Sequence, residues 1–122
     1  MSINVKEVAF IYHPVSDIAR ARKFYEELLG LKVGLQGEFA PGTWWIEYDV
    51  AGTALAVSNV SPPSGASGAV LALEVADLDA SLAAVKAAGI PLTVEVQDFP
   101  PCRMFEVKTA DGHKVMFHQR KS

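Results

Sequence analysis

The sequence predicts an α+β fold built from two βαβββ modules. The first observation is an internal repeat: Asp77 follows Asp17 by 60 positions, and Gly112 follows Gly52 by the same 60. The second is the pattern around each aspartate, which in both halves reads apolar strand, aspartate, amphipathic stretch, glycine and a further strand. A single repeat of this length indicates a duplicated supersecondary unit rather than a solenoid of many short repeats.

The first module is expected to cover about residues 4–59. A β-branched and aromatic run over 5–12 predicts its first strand, which ends before Pro14 because proline cannot donate a ladder hydrogen bond. Asp17 is placed to cap a helix that Gly30 ends. The inward positions of that helix, at helical spacing, are Ile18, Ala21, Phe24 or Tyr25, and Leu28. Three further strands are predicted over 31–35, 43–49 and 53–59.

A Pro, Gly and Ser-rich segment over 60–69 predicts a linker. The second module, about residues 70–119, then repeats the order of the first. Its helix starts after Asp77 and stops at Gly89, with Leu78, Leu82 and Val85 facing inward. Its strands are predicted over 70–75, 92–96, 103–108 and 114–118. The whole chain, residues 1–122, is therefore expected to form one domain of eight strands and two helices.

Composition predicts a globular protein and argues against several function classes. Half of the residues are hydrophobic, a fifth are charged, and the net charge is −3, which lacks the basic footprint of a nucleic-acid-binding protein. No apolar run approaches the roughly 20 residues that cross a bilayer, and the first ten residues do not resemble a leader. We therefore expect no nucleic-acid or membrane partner and a cytoplasmic location. The single cysteine excludes an intrachain disulfide.

Four segments resemble the vicinal oxygen chelate superfamily, which includes glyoxalase I, extradiol dioxygenases, fosfomycin-resistance enzymes, epimerases and bleomycin-binding proteins. They are PVSDIARARKFYEELLGL, GTWWIEYDVAGTALAVSN, LALEVADLDASLAAVKAAGI and TADGHKVMFHQ. The resemblance covers nearly the whole chain, and the motif D-x6-F-Y-x3-L-G-L carries most of it. It implies paired βαβββ modules that form an eight-stranded cup, the glyoxalase/bleomycin resistance/dioxygenase fold, commonly in a homodimer that completes the sites.

The same resemblance implies where a divalent metal would bind. Metal-using members place His, Gln or Glu on the first and last strands of each module, and the corresponding positions here are Phe10, Ala56, Val70 and Met116. Such ions need lone pairs from nitrogen or oxygen, which none of these four side chains supplies. We therefore expect no metal and no other cofactor; a divalent metal held by displaced ligands is the alternative.

The polar residues one step along the same strands form a candidate catalytic layer. Side chains two apart share a strand face, so Tyr12, Ser58 and His118 should lie beside the apolar positions, with Glu74 farther on. An imidazole near a carboxylate can act as a general base, which makes Glu74 and His118 the candidate catalytic pair. The alternative is structural: His118 is close to the C-terminus, and Glu74 can equally face water at a strand end.

Two consecutive tryptophans, Trp44 and Trp45, must point to opposite faces of their strand. If Trp44 packs under the helices with Ile46 and Tyr48, then Trp45 and Glu47 face the cup. An aromatic wall and one acceptor would suit a ring-bearing or cationic ligand. The alternative is core packing for one tryptophan and a dimer interface for the other.

Cys102 and Arg103 follow two prolines at the entrance of a strand and are candidate ligand-binding residues. A nucleophilic thiol needs a nearby base, and His118 on the neighbouring strand is the one candidate. A lone cysteine more commonly serves as a small buried hydrophobe. His13 and His113 are expected in surface loops.

Three functions remain open at this stage. The first is a metal-free, dimeric small-molecule-binding protein, similar to the bleomycin-binding branch of the superfamily. The second is a metal-independent lyase, isomerase or hydrolase acting through Glu74, His118 or Glu47. The third is a structural partner or regulatory subunit whose cup is vestigial. A glyoxalase- or dioxygenase-like enzyme with displaced metal ligands is the remaining enzymatic alternative.

Overall fold

The computed structural model describes residues 4–65 and 69–121, and the predicted linker positions 66–68 lie outside them. The chain divides into two compact units, Met1–Pro63 and Ser64–Ser122. Each unit contains one four-stranded sheet and one helical segment, in the order strand, helix, strand, strand, strand. The predicted α+β fold of two βαβββ modules is confirmed, and the boundary between them falls inside the segment predicted as a linker.

The first module is a mixed sheet whose spatial strand order is first, fourth, third, second. The first and fourth strands run parallel, and the other neighbours are antiparallel. Its elements are β1 (Ile11–Pro14), α1 (Ile18–Arg22) continued by a π-helical segment (Lys23–Leu28), β2 (Lys32–Ala40), β3 (Thr43–Val50) and β4 (Thr53–Ser58).

The helix of the first module begins and ends as predicted, but its second half is wider than an α-helix. Asp17 caps it by accepting a hydrogen bond from the Arg20 amide at 3.0 Å, and Gly30 ends it at φ +67°. Within the π-helical segment the Leu29 amide donates to the Phe24 carbonyl, five residues back. The wider turn allows Phe24 and Tyr25 both to be buried, which resolves the alternative left open by helical spacing.

The second module repeats this architecture, again with spatial strand order first, fourth, third, second. Its elements are β5 (Val70–Glu74), α2 (Leu78–Ala87), β6 (Leu92–Asp98), β7 (Cys102–Lys108) and β8 (Lys114–Arg120). Asp77 caps α2 through the Ala80 amide. The helix covers one face of the sheet, where Phe105 and Phe117 stack at 5.0 Å and bury against Leu78 and Val85.

Several predicted strand limits are wrong. Strand β1 starts at Ile11 rather than near residue 5, because its pairing with the parallel strand β4 starts at Ile11 and Leu55. Strand β2 runs to Ala40 rather than ending at position 35, because β3 offers it a partner along its length. The strand contains two bulges, between Val33 and Leu35 and between Glu38 and Ala40.

Both histidines expected in surface loops are buried. His13 lies in β1 with 8% of its surface exposed, and its Nδ1 is 2.7 Å from the Tyr25 hydroxyl. His113, just before β8, is 9% exposed. Strand β1 continues one residue past His13, so the imidazole belongs to the sheet and not to the turn before the helix.

Candidate functional site

Each sheet has one face covered by its own helix and an opposite face, here called the cup face. In the first module, strand register places Tyr12, Ala56 and Glu47 in one row across three strands. The next row contains Ser58 and Trp45. Residues directly opposite each other in a sheet project to the same side, so the predicted sharing of one face by these five residues agrees with the register.

Three aromatic rings meet on this face and form what we call the aromatic cluster: Phe10, Tyr12 and Trp45. The Trp45 ring stacks on Tyr12 with centroids 5.4 Å apart and an interplanar angle of 28°, and it meets Phe10 edge-on, also at 5.4 Å. Phe10 is 44% exposed, and the other two rings are half-buried. The cluster is therefore a partly open aromatic surface rather than a closed core.

Polar contacts fix the orientation of two of these rings. The Trp45 indole Nε1–H donates to Glu47 Oε2 at 2.7 Å, which sets the ring plane and holds a carboxylate at its edge. The Tyr12 hydroxyl is 2.7 Å from Ser61 Oγ. Ser58 is fully buried, and its Oγ accepts from the Val60 amide at 3.0 Å, so its hydroxyl stabilises the chain leaving β4.

The helix-covered face of the same sheet holds the other tryptophan. Ile46 and Tyr48 are completely buried there, and the Arg22 guanidinium lies 5.5 Å from the centre of the Trp44 ring. The expectation that Trp44, Ile46 and Tyr48 pack under the helix while Trp45 and Glu47 face the other way is consistent with these contacts. A substitution of Trp44 can therefore serve as the control for the same substitution of Trp45.

A hydrogen-bonded chain ties the helix to this face. The Tyr48 hydroxyl donates to Glu26 Oε2 at 2.8 Å, and the same oxygen accepts from Arg22 at 2.6 Å. Burial raises the pKa of Tyr48 above its usual range, and the hydrogen bond to the Glu26 carboxylate raises it further. The phenol therefore stays protonated and acts as a structural donor.

In the second module the two candidate catalytic residues are in direct contact. His118 Nδ1 is 2.6 Å from Glu74 Oε1, and the other carboxylate oxygen accepts from the Arg120 amide at 2.7 Å. The Arg120 amide and then His118 hold the pKa of Glu74 below its usual value. The carboxylate is thus ionised and fixed from both oxygens, so it can orient the imidazole and leave Nε2 for chemistry. The His118 side chain is 27% exposed.

Cys102 and Arg103 face opposite sides of β7. Successive residues of a strand face opposite ways, and the Arg103 guanidinium binds Asp79 of α2 at 3.0 Å, on the helix-covered face. That hydrogen bond and charge lower the pKa of Asp79. Cys102 is half-buried at the start of β7 and lies opposite Arg120, whereas His118 lies opposite Met104. The predicted thiol and imidazole are therefore offset by two positions along the hairpin.

The residues at the superfamily's metal positions do not fit a divalent ion. Ala56 is buried, Phe10 and Val70 are partly exposed at 44% and 39%, and Met116 is intermediate. A thioether is a weak, soft donor, and the other three side chains carry none. Over residues 4–65 and 69–121, no three His, Cys, Asp or Glu side chains form a group that could hold a metal.

Glu106 is a cup-face residue that was not predicted from the sequence. It lies on the cup face of β7, opposite Met116, and its Oε2 accepts from the Thr93 hydroxyl at 2.9 Å. Glu47 has the matching place in the first module, opposite Ala56. Adding the 60-residue offset to Glu47 gives Val107 rather than Glu106, because the turn between β7 and β8 is longer than the turn between β3 and β4. Strand alternation through β7 was the signal that could have identified it.

No helix within the described part of the chain is long and apolar enough to span a membrane.

The duplicated βαβββ sheet defines a class of fold that several solved structures share. A fosfomycin resistance protein, FosX, from Listeria monocytogenes has a TM-score of 0.78 at 12% identity, over 95% of this chain and 94% of its own. TnmS3, an antibiotic-binding protein from Streptomyces sp. CB03234, has a TM-score of 0.71 at 21% identity, over 98% and 100%. A glyoxalase family protein from Enterococcus faecalis has 0.68 at 22%, over 93% and 97%. At these identities the similarity shows the fold alone.

The family model for the Glyoxalase/Bleomycin resistance protein/Dioxygenase superfamily matches residues 8–117. The chain therefore belongs to this superfamily, as its motifs indicated. No curated protein sequence matches it significantly.

Proposed function

We propose that this protein binds a small molecule carrying a planar ring, and that it does so without a metal. The observation that carries the proposal is the aromatic cluster on the cup face of the first module, with the Glu47 carboxylate at its edge. A partly exposed stacked pair offers a flat apolar surface at low entropic cost, because both rings are already held in place. The carboxylate favours a ligand with a hydrogen-bond donor or a positive charge.

The relatives give independent support at the level of ligand class. TnmS3 is described as an antibiotic-binding protein, and FosX as a fosfomycin resistance protein. One FosX structure is a complex with Mn(II). Here the positions that the superfamily resemblance assigns to metal ligands, Phe10, Ala56, Val70 and Met116, lack donor atoms suited to such an ion. Binding without metal chemistry is therefore the use of the fold that these side chains favour.

The proposal includes a homodimer in the cytoplasm. Strand β2 lies at one edge of its sheet, and all nine of its residues are exposed, including Leu35 and Phe39 at 59% each. Exposed apolar side chains on an edge strand favour association. Cys102 is the only cysteine, in keeping with a reducing compartment.

The test is a fluorescence titration with planar aromatic antibiotics, acyl-CoA esters and 2-oxoaldehyde adducts, supported by thermal shift. A ligand that stacks on the cluster should quench tryptophan emission and raise the melting temperature. Trp45→Phe should remove the quenching, while Trp44→Phe should keep it, because Trp44 lies on the other face. Equal quenching of both variants would contradict the proposed site.

Metal analysis tests the second half of the proposal. The protein is purified without an affinity tag, and its Mn, Fe, Ni and Zn contents are measured. We expect less than a tenth of an equivalent of each. Stoichiometric metal that is lost on substituting Glu47, Glu106 or His118 would instead support the displaced-ligand enzyme.

A second candidate function is a metal-independent lyase or isomerase that uses the Glu74–His118 pair. Its support is the 2.6 Å contact between the two side chains and the second anchor of Glu74 on the Arg120 amide. An imidazole oriented in this way can move a proton next to a carbonyl group. The test is deuterium incorporation from D2O into the glutathione hemithioacetal of methylglyoxal, followed by proton NMR. Incorporation that is lost in His118→Asn supports this function; none above background contradicts it for this substrate.

A further inference from the structure

The second module buries a carboxylate that neither candidate function uses. Glu106 is 8% exposed although it lies in β7 on the cup face, away from α2. Its row across the sheet is otherwise apolar, with Val94 and Met116 directly opposite it on the two neighbouring strands. A carboxylate in such a place loses most of its hydration, and proteins normally offset this loss with several hydrogen bonds or a cation.

The protein itself provides one partner for this group. A register shift between Leu92 and Val94 lies beside Glu106, and the Thr93 hydroxyl donates to Glu106 Oε2. Among residues 4–65 and 69–121, no cation pairs with Glu106 and no further side chain hydrogen-bonds it. Bulges commonly redirect a side chain next to a functional site. One oxygen is thus held, and the other remains able to accept a donor from outside the protein.

The first module repeats the arrangement with a different partner. Glu47 also lies on the third strand of its sheet, beside a register shift in the second strand and opposite the fourth-strand position that lacks a metal donor. There the indole Nε1–H of Trp45 donates a hydrogen bond to one carboxylate oxygen of Glu47. No tryptophan is available to Glu106, whose donor is a small hydroxyl. The two modules therefore hold equivalent glutamates through different donors, and Glu106 is the more buried of the two.

We propose that Glu106 is the anchor of a ligand subsite on the second module that accepts a cationic hydrogen-bond donor, such as a protonated amine or amidine attached to a flat apolar group. Met116 and Val94 border the carboxylate and would contact the apolar part, while the free oxygen would accept the N–H. This subsite rests on the proposed small-molecule binding. It specifies in addition that one end of the ligand carries a positive charge. Neutral or anionic analogues of the same shape should bind less well.

The experiment uses three probes of nearly equal shape and different charge: benzamidinium, benzamide and benzoate. Each is titrated into isotopically labelled full-length protein, and amide shifts are followed by NMR. We expect benzamidinium to shift the amides of β7 and β8 around Glu106 and to bind about tenfold more tightly than benzoate, as one charge-assisted hydrogen bond would give. Glu106→Gln should weaken benzamidinium about tenfold, and Glu95→Gln, an exposed control on β6, should leave it unchanged.

Two further variants separate this subsite from the aromatic cluster. Glu47→Gln should affect only benzamidinium shifts in β3 and β4 and leave those around Glu106 unchanged. Thr93→Val keeps the Glu106 carboxylate and should therefore retain benzamidinium binding near β7. Equal affinity of benzoate, no shifts around Glu106 in the wild-type protein, or unchanged affinity in a folded Glu106→Gln would each overturn the subsite. If Glu106→Gln does not fold, the amide shifts of the wild-type protein and its relative affinities for benzamidinium, benzamide and benzoate test the subsite. Failure of the planar ligands to quench Trp45 would instead overturn the proposed function and leave this result intact.

Discussion

The contact between Trp45 and Glu47 allows a test of whether the aromatic cluster is pre-organised. The Trp45 Nε1–H donates to a carboxylate oxygen at 2.7 Å, and the ring also stacks on Tyr12. Trp45→Phe removes the donor but keeps an aromatic ring in the same position. A hydrogen bond to a charged group contributes about 1.5–3 kcal/mol when buried, and the net value of an ordinary one is nearer 1 kcal/mol. Because both residues are half-buried, we expect about 1 kcal/mol for the pair.

The assay is a double-mutant cycle with Trp45→Phe, Glu47→Gln and the combined variant, each unfolded in urea and followed by circular dichroism. The free energies of unfolding should be non-additive by about 1 kcal/mol, since either single change already breaks the contact. That energy corresponds to roughly 4 °C in melting temperature for a chain of this size. Trp44→Phe combined with Glu47→Gln serves as the control and should be additive within about 0.4 kcal/mol.

A coupling energy near zero would refute the reasoning, because the two groups would then not constrain each other in solution. The same cycle carried out on ligand affinity would show whether a fixed indole matters for binding. A pre-oriented ring loses less entropy on binding, so Trp45→Phe should weaken a planar ligand more than the loss of ring area alone explains.

Three further predictions concern stability. Glu74→Gln should cost stability at neutral pH, and the difference from the wild type should shrink as pH falls from the usual carboxyl pKa of about 4.5 through the lower pKa of the folded state, because the contacts of Glu74 lower its pKa only in the folded state; urea titrations from pH 7 to pH 3 measure this, and a pH-independent difference would contradict it. Tyr48→Phe should reduce the free energy of unfolding by about 1–2 kcal/mol by removing the donor to Glu26, and urea unfolding that matches the wild type would contradict it. Asp77→Ala should lose about 1 kcal/mol through the cap of α2, measured by thermal melting, with Lys86→Ala, at an exposed position of the same helix, as the control.

The sequence was sufficient for the fold because the signals involved are local. Caps at Asp17 and Asp77, helix stops at Gly30 and Gly89, and the alternation of apolar residues each depend on neighbours a few positions away. Strand ends were less predictable, since β1 and β2 start or stop where their partners β4 and β3 allow pairing. The placement of residues on a face was predictable from alternation alone.

The positions of the candidate residues on the sheet faces were more predictable than their contacts. Alternation grouped Tyr12 with Trp45 and Glu74 with His118, and the structure brings each pair together. It could not show that Arg103 would bind Asp79, because that contact depends on how α2 crosses its sheet. Ser58 was expected to be available to a ligand, whereas its hydroxyl accepts a backbone hydrogen bond where the chain leaves β4; sequence spacing carries no information about such a local turn contact.

The two modules share one arrangement of side chains at the positions that the superfamily resemblance assigns to metal ligands on the fourth strands. In both modules the fourth-strand position is apolar, Ala56 or Met116, and a glutamate on the third strand is its direct neighbour across the sheet. A metal would have drawn these carboxylates toward itself as ligands or as partners of ligands. Here Glu47 accepts a hydrogen bond from the Trp45 indole N–H, and Glu106 accepts one from the Thr93 hydroxyl. Each can accept a further hydrogen bond at a face bordered by apolar side chains, and this combination is the reason we propose organic cations with flat apolar bodies as ligands.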